Sequence, residues 1–196
     1  MEASLSRRLS RDERRRQLVE LGLELLSSSP RELVAIDRIS EMAGISRGLL
    51  FHYFPTKRDY HVAVIEAACA RLLERTEPDP SLEPAQRLRG SLDAYVDFVR
   101  QNQPLYRSLI RGAAGADADL EALVERTRGV IASRVFDYLG LTVAAPPLRA
   151  AVRGWIGFVE ESTLDWLRHE DLSRSELIEL QSRAFESALA SAGAAT

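Results

Sequence analysis

Cysteine, histidine and lysine are all scarce in this sequence, and each scarcity removes a class of chemistry. Cys69 is the one cysteine, so no disulfide can close within the chain and the zinc-ligand spacings are absent. Its neighbours Val62, Ala63, Val64, Ile65, Ala67 and Ala68 are apolar, which fits a buried, inert thiol better than a reactive one. The three histidines, His52, His61 and His169, lie far apart and at no metal-binding spacing. A Gly-rich phosphate loop, a nucleophile elbow and a Cys/His pairing are all missing, and the carboxylates form no recognisable catalytic arrangement. No enzyme activity, metal or cofactor is therefore expected. Long hydrophobic runs are lacking too: none approaches the ~20 residues that cross a bilayer. The first 16 positions are rich in Arg and Ser with no apolar stretch after the charges, unlike a secretory signal. A cytoplasmic protein with no membrane partner is the expectation.

What is present suits a helical globular protein. The 196 residues suffice for one large domain or two small ones sharing a helix, and 45% of them are apolar, enough for a sizeable core. The net charge of −3 argues against indiscriminate nucleic-acid binding. Its distribution is uneven. Residues 1–60 carry 11 Arg/Lys against 9 Asp/Glu, a balance of +2, and residues 61–196 carry 15 against 20, a balance of −5. Arg7, Arg8, Arg11, Arg14, Arg15 and Arg16 crowd a basic arm over 1–16. A polyanion bound at this pole and a merely solvated tail explain that arm equally well. Lys57 is the only lysine among 26 basic residues.

Turn signals divide the chain into about nine helical segments, and strand-like alternation is nowhere sustained. Ser10-Arg11-Asp12-Glu13 reads as a capping box opening a first helix to Ser28, stopped by Ser29-Pro30. A second helix is predicted over Ile36 to Ala43 and a third from Arg47 to Tyr53 or Phe54, joined by Gly44-Ile45-Ser46. Gly44 suits the left-handed turn and Ser46 the next cap. Pro55 ends the third helix and Thr56 caps a fourth, Lys57 to Thr76. Glu77 to Pro84, with three prolines, reads as a loop. Then come a fifth helix (Ala85 to Gln103, ended or kinked by Pro104), a sixth (Leu105 to Gly112), a seventh (Asp117 to Leu139), a loop to Pro147, an eighth (Leu148 to His169) and a ninth opened by the capping box Ser173-Arg174-Ser175-Glu176.

Two short helices joined by a Gly-containing turn make a helix-turn-helix, whose second helix can enter a major groove ~12 Å wide. The stretch from Ile39 through Gly44-Ile45-Ser46-Arg47-Gly48 to His52-Tyr53-Phe54-Pro55-Thr56-Lys57 resembles the signature of the TetR family of bacterial repressors. The likeness is strong over about residues 11–76; beyond that only the nine-helix plan and the helix bearing Trp155, Phe158 and Trp166 match. It implies an all-α fold: an N-terminal helix-turn-helix DNA-binding domain (1–56), a connecting fourth helix (57–76) and a C-terminal ligand-binding and dimerisation domain (77–196). It also implies roles. Arg47 would read base edges, Gly48 would allow close approach, Leu49 and Phe51 would face the groove, and His52, Tyr53 and Lys57 would contact phosphates. Phe54 reads as core. Three positions depart from the family pattern: Ala35 lacks a capping hydroxyl, Leu49 stands where a polar residue is frequent, and Phe51 replaces a tyrosine. A helical hairpin without a DNA role is the bland alternative.

Two half-sites one helical turn apart, ~34 Å, require a dimer. Ala150, Gly154 and Gly157 on the eighth helix and Ala184 and Ala188 on the ninth permit close helix approach, as the family's dimer interface implies; packing within the subunit is the alternative. Tyr95, Phe98, Tyr106, Phe136, Trp155 and Phe158 are candidates to line a pocket for an apolar or amphipathic effector, though aromatic residues at this spacing are more often core. Glu160 and Glu161 are adjacent, so at most one can face such a pocket. The expected function is a homodimeric repressor that binds a palindromic double-stranded operator and is released by a small-molecule inducer. The ligand would press the sixth and seventh helices against the fourth. A helix-turn-helix regulator without that switch, whether constitutive, activating or protein-regulated, is the alternative.

Overall fold

The computed structural model describes residues 9–28, 36–107, 117–141, 145–169 and 171–193, and every regular element among them is helical. These are α1 (Arg11–Ser28), α2 (Ile36–Ala43), α3 (Arg47–Tyr53), α4 (Lys57–Arg75), α5 (Pro84–Gln101), a short α6 over 103–107, α7 (Ala118–Tyr138), α8 (Pro146–His169) and α9 (Arg174–Ser191). The arm as far as residue 8, the Ser29-Pro30 stop, the Ala35 cap, the end of the sixth helix and part of the loop after Gly140 lie outside the described residues.

The helix starts follow local chemistry. At α1 the Ser10 backbone N–H donates to the Glu13 carboxylate at 2.7 Å and the Glu13 N–H donates to the Ser10 hydroxyl at 3.2 Å, pairing groups that would otherwise lack a partner. Thr56 and Asp59 do the same at α4, and Ser173 and Glu176 at α9. The prolines differ from expectation. Pro84 opens α5 and Pro146 opens α8, where the sequence suggested loops. A helix's first residues have no intrahelical acceptor for their N–H groups, so a ring nitrogen loses nothing there. Likewise α5 ends at Asn102, whose N–H donates to the Phe98 carbonyl at 3.0 Å, and Pro104 sits in the first turn of α6 instead of ending α5.

Residues 1–68 and 69–196 form two compact units, and the division falls inside α4. In the first, Leu18, Leu23, Leu25 and Leu26 of α1, Ile36 and Ile39 of α2, Leu50 of α3, and Tyr60, Val64 and Ile65 of α4 are buried together with Phe54. Each such side chain contributes roughly 1.5–3 kcal/mol. The Tyr60 hydroxyl donates to the Leu18 carbonyl at 2.8 Å. It fits because Gly22 faces it: a Cβ there would meet Tyr60 Oη at 2.5 Å and Val64 Cγ2 at 2.6 Å.

The second unit has its own core, drawn from α5, α6, α7, α8, α9 and Leu72 of α4. Trp155 locks α8 to α9. Its indole N–H donates to the Gln181 carbonyl at 3.0 Å and its ring lies 4.8 Å from that of Phe185. Gln181, fully buried, donates its amide to the Thr163 hydroxyl at 2.9 Å and to the Ser162 hydroxyl at 3.1 Å. Arg134 ties α7 to the end of α4 by donating to the Leu73 carbonyl at 2.8 Å.

Candidate nucleic-acid interface

The helix-turn-helix is built from its turn outward. Gly44 adopts φ +62°, a conformation that strains residues bearing a Cβ. The Ile45 N–H then donates to the Ser40 carbonyl at 2.9 Å, closing α2. Ser46 has extended backbone, and its hydroxyl accepts the Leu49 N–H at 3.2 Å, starting α3. α3 turns one residue, Leu50, fully inward. Phe54 closes the far end: its N–H donates to the Leu50 carbonyl at 3.0 Å, its ring meets Tyr60 edge-on at 5.1 Å, and the Arg15 guanidinium lies 5.0 Å from its centre. Phe54 is core, as the sequence suggested.

With Leu50 as the anchor, Arg47, Gly48, Leu49 and His52 are exposed, and Phe51 and Tyr53 are half-buried. The His52 and Tyr53 rings meet edge-on at 5.6 Å. Lys57 is exposed at the first position of α4, beside the Thr56–Asp59 cap. All seven sequence-selected residues therefore lie on or beside the outward side of one short helix. Gly48 is not required by the interior, since a Cβ there would come no nearer than 3.9 Å to anything, the Ser46 hydroxyl. One partner was not legible: Arg47 is ion-paired with Asp37 of α2. Both side chains are largely exposed, so the pair is worth ~0–1 kcal/mol. A bidentate arginine–guanine contact discriminates by ~1–3 kcal/mol.

In the second unit, Tyr95, Phe98, Tyr106 and Trp155 belong to one buried cluster, with Phe136 half-buried against it. The Tyr95 and Tyr106 hydroxyls are hydrogen-bonded to each other at 2.5 Å, and burial pushes both phenols well above their ordinary ionisation range. Phe158 corrects the expectation: it is 39% exposed. Trp155, Ile156, Val159 and Glu160 take the inward face of α8, which leaves Phe158 outward beside Gly154 and Ala150 at four-residue steps. Gly154 is likewise exposed, and Cβ atoms at Gly154 and Gly157 would touch nothing within 4 Å. On α9, Ala184 and Ala188 are half-buried against the unit's own core, while Leu180 and Arg183 are exposed. Of the adjacent glutamates, Glu160 is the buried one. Arg128 of α7, unmarked in the sequence, grips it through Nε at 2.8 Å and a terminal nitrogen at 2.5 Å. Arg153 and Arg128 donate to Glu125 and hold its carboxyl below the usual range. Among the described residues no group of three His, Cys, Asp or Glu is placed to hold a metal, and no helix is long and apolar enough to cross a membrane.

An all-helical chain with a helix-turn-helix displaying one basic, outward face is a DNA-binding regulator by architecture. Comparison with known proteins narrows the class. Residues 18–60 match the bacterial regulatory proteins of the tetR family, and residues 84–187 match the tetracyclin repressor-like C-terminal domain. The chain belongs to the TetR family of transcriptional regulators. A crystal structure of a tetR-family transcriptional regulator from Streptomyces coelicolor superimposes with a TM-score of 0.85 at 32% identity, over 95% of this chain and 84% of that one. The transcriptional activator FasR of Mycolicibacterium smegmatis is 25% identical over 167 residues, 83% of this chain and 76% of FasR. The transcriptional repressor KstR of Rhodococcus jostii is 27% identical over 124 residues, 63% of this chain and 58% of KstR. These relatives are regulators of transcription, not enzymes.

Proposed function

We propose that this protein is a ligand-responsive repressor that binds a palindromic operator as a homodimer and leaves it when a small, largely apolar molecule occupies the C-terminal unit. In this reading residues 1–56 hold the DNA, α4 connects, and residues 77–196 take the effector and dimerise. The observation that carries it is the division of α3: Leu50 anchors inward, and Arg47, Gly48, Leu49 and His52 are left to the solvent. Arg47 reads a base edge, and His52, Tyr53 and Lys57 contact phosphates. The outward ladder of Ala150, Gly154 and Phe158 supports dimerisation through α8, with the exposed edge of α9 beside it. The effector acts by its differential affinity for two dimer states, with ~1–3 kcal/mol of coupling between sites. The end of α4 is fastened by Arg134 to α7 and by Arg75 to Gln101 of α5, so a ligand among these helices acts on the helix that enters the first unit.

The test is genome-wide capture of DNA by the purified protein, followed by footprinting. The expected result is two inverted half-sites with centres ~34 Å apart. A single unpaired half-site would remove the homodimer. A second reading, activation, is favoured by the likeness to an activator over most of the chain. Its distinguishing result is a footprint upstream of the promoter and reduced transcription when the protein is deleted.

A further inference from the structure

Among the described residues, the interior of the second unit contains a hydroxyl pair with one more donor than acceptor in use. Tyr95 of α5 and Tyr106 of α6 share a 2.5 Å hydrogen bond, and among the described residues neither hydroxyl has another partner. Two hydroxyls carry two O–H protons, and one bond uses one of them. The second proton is left in a buried place, since Tyr95 is 7% and Tyr106 5% exposed. Buried donors without an acceptor are destabilising and rare. Leu92, Val96, Phe98, Val99, Trp155 and Val159 belong to the same cluster, so whatever meets the hydroxyls is otherwise in apolar surroundings.

The charges nearby select the acceptor. Glu160 and Glu161 act on Tyr95 in one direction and Arg128 in the other. The Arg128 guanidinium is already engaged, by Glu160 on one side and Glu125 on another. Two carboxylates against one paired guanidinium disfavour an incoming anion. An ammonium would find Glu160 taken, and it would bring donors where a donor is already in excess.

We propose that the Tyr95–Tyr106 hydroxyl pair is the polar end of the effector site, and that its ligand is an uncharged, mostly apolar molecule bearing a carbonyl or ether oxygen. The oxygen accepts the unused O–H, and the aliphatic and aromatic cluster receives the rest. The regulatory meaning of the site rests on the effector reading above; the binding chemistry does not.

Calorimetric titration of the full chain with methyl hexanoate, methyl decanoate and methyl tetradecanoate, against the matching free acids and amines, tests this. At least one ester should bind about tenfold tighter than its acid and its amine. The double variant Tyr95→Phe/Tyr106→Phe should lose about tenfold in ester affinity, yet unfold, ligand-free, at the parent's temperature or above it. It removes the orphaned donor along with its partner. Each single variant should unfold at lower temperature and still bind ester, because one O–H remains. Failure of every ester to bind would overturn the proposal. So would a double variant that unfolds earlier or does not fold, since the pair would then be a structural strut. Tighter binding of the acids would move recognition to Arg107, whose Nε is buried without a partner, and would also overturn it. Ester binding that leaves operator affinity unchanged would keep the site and remove the switch. Absent ester binding with operator recognition intact would sink this site alone.

Discussion

At the scale of single residues, the proposed DNA face offers few polar groups, which makes each one measurable. Lys57 is exposed at the start of α4, where the positive end of the helix dipole adds to its charge. Lys57→Ala should weaken binding to every DNA sequence and lower the salt slope of the binding constant by about one charge. An unchanged slope would take Lys57 off the phosphate. Arg47 has the other proposed role, that of reading sequence. Arg47→Ala should relax base preference at one operator position by ~1–3 kcal/mol, and full retention of the preference in a binding-site selection would assign that base to another residue. The residues of this face come from the resemblance of Ile39 to Lys57 to the family signature, with Phe54 read as core; the anchor Leu50 stands unmarked between Leu49 and Phe51, neighbours as apolar as itself, so the pattern alone does not say which of the three turns inward. The Asp37 partner of Arg47 was not legible either: no local pattern joins the first turn of α2 to the first residue of α3 across a turn.

At the scale of elements, capping chemistry located the helix starts at Ser10, Ser46, Thr56 and Ser173. Proline misled, because the same residue marks a loop and favours a helix's first turn; Pro84, Pro104 and Pro146 proved to be the second kind. The Arg128–Glu160 pair escaped notice because its members are 32 residues apart on different helices. Glycines now separate by role. Gly22→Ala should destabilise the first unit by about 1–3 kcal/mol, since the added methyl would strike Tyr60 Oη and disturb its bond to Leu18. Gly129→Ala, in α7 with open space around it, should instead stabilise by roughly 0.5–1 kcal/mol. Urea denaturation of the two variants checks both signs. Equal effects would mean that the α1–α4 contact is looser than its geometry.

For the whole molecule, two properties have global readouts. Gly154 lies on the exposed face of α8 with nothing near its missing Cβ. Gly154→Arg should therefore leave each subunit folded, while giving monomers in sedimentation velocity and weak operator binding. A dimer that persists would place the interface elsewhere. The second property is alkaline stability. Burial raises the hydroxyl ionisation of Tyr60, Tyr95 and Tyr106 above the ordinary value of 10.0. Stability linked to these groups is then complete below about pH 10 and declines as pH rises towards their folded values. In an alkaline titration followed by phenolate absorbance, at most two of the five tyrosines, five less these three, should ionise before helical circular dichroism falls. Earlier ionisation of more than two would mean that water reaches these hydroxyls in the native state.

The sole lysine also makes the protein its own reporter. An amine-selective reagent has a single side-chain target in this sequence, Lys57, and it stands exposed where α4 begins. A dye or an isotopic methyl group placed there would tag the proposed DNA-facing side without mutagenesis. Occupancy of the duplex could then be followed as shielding of one nitrogen atom.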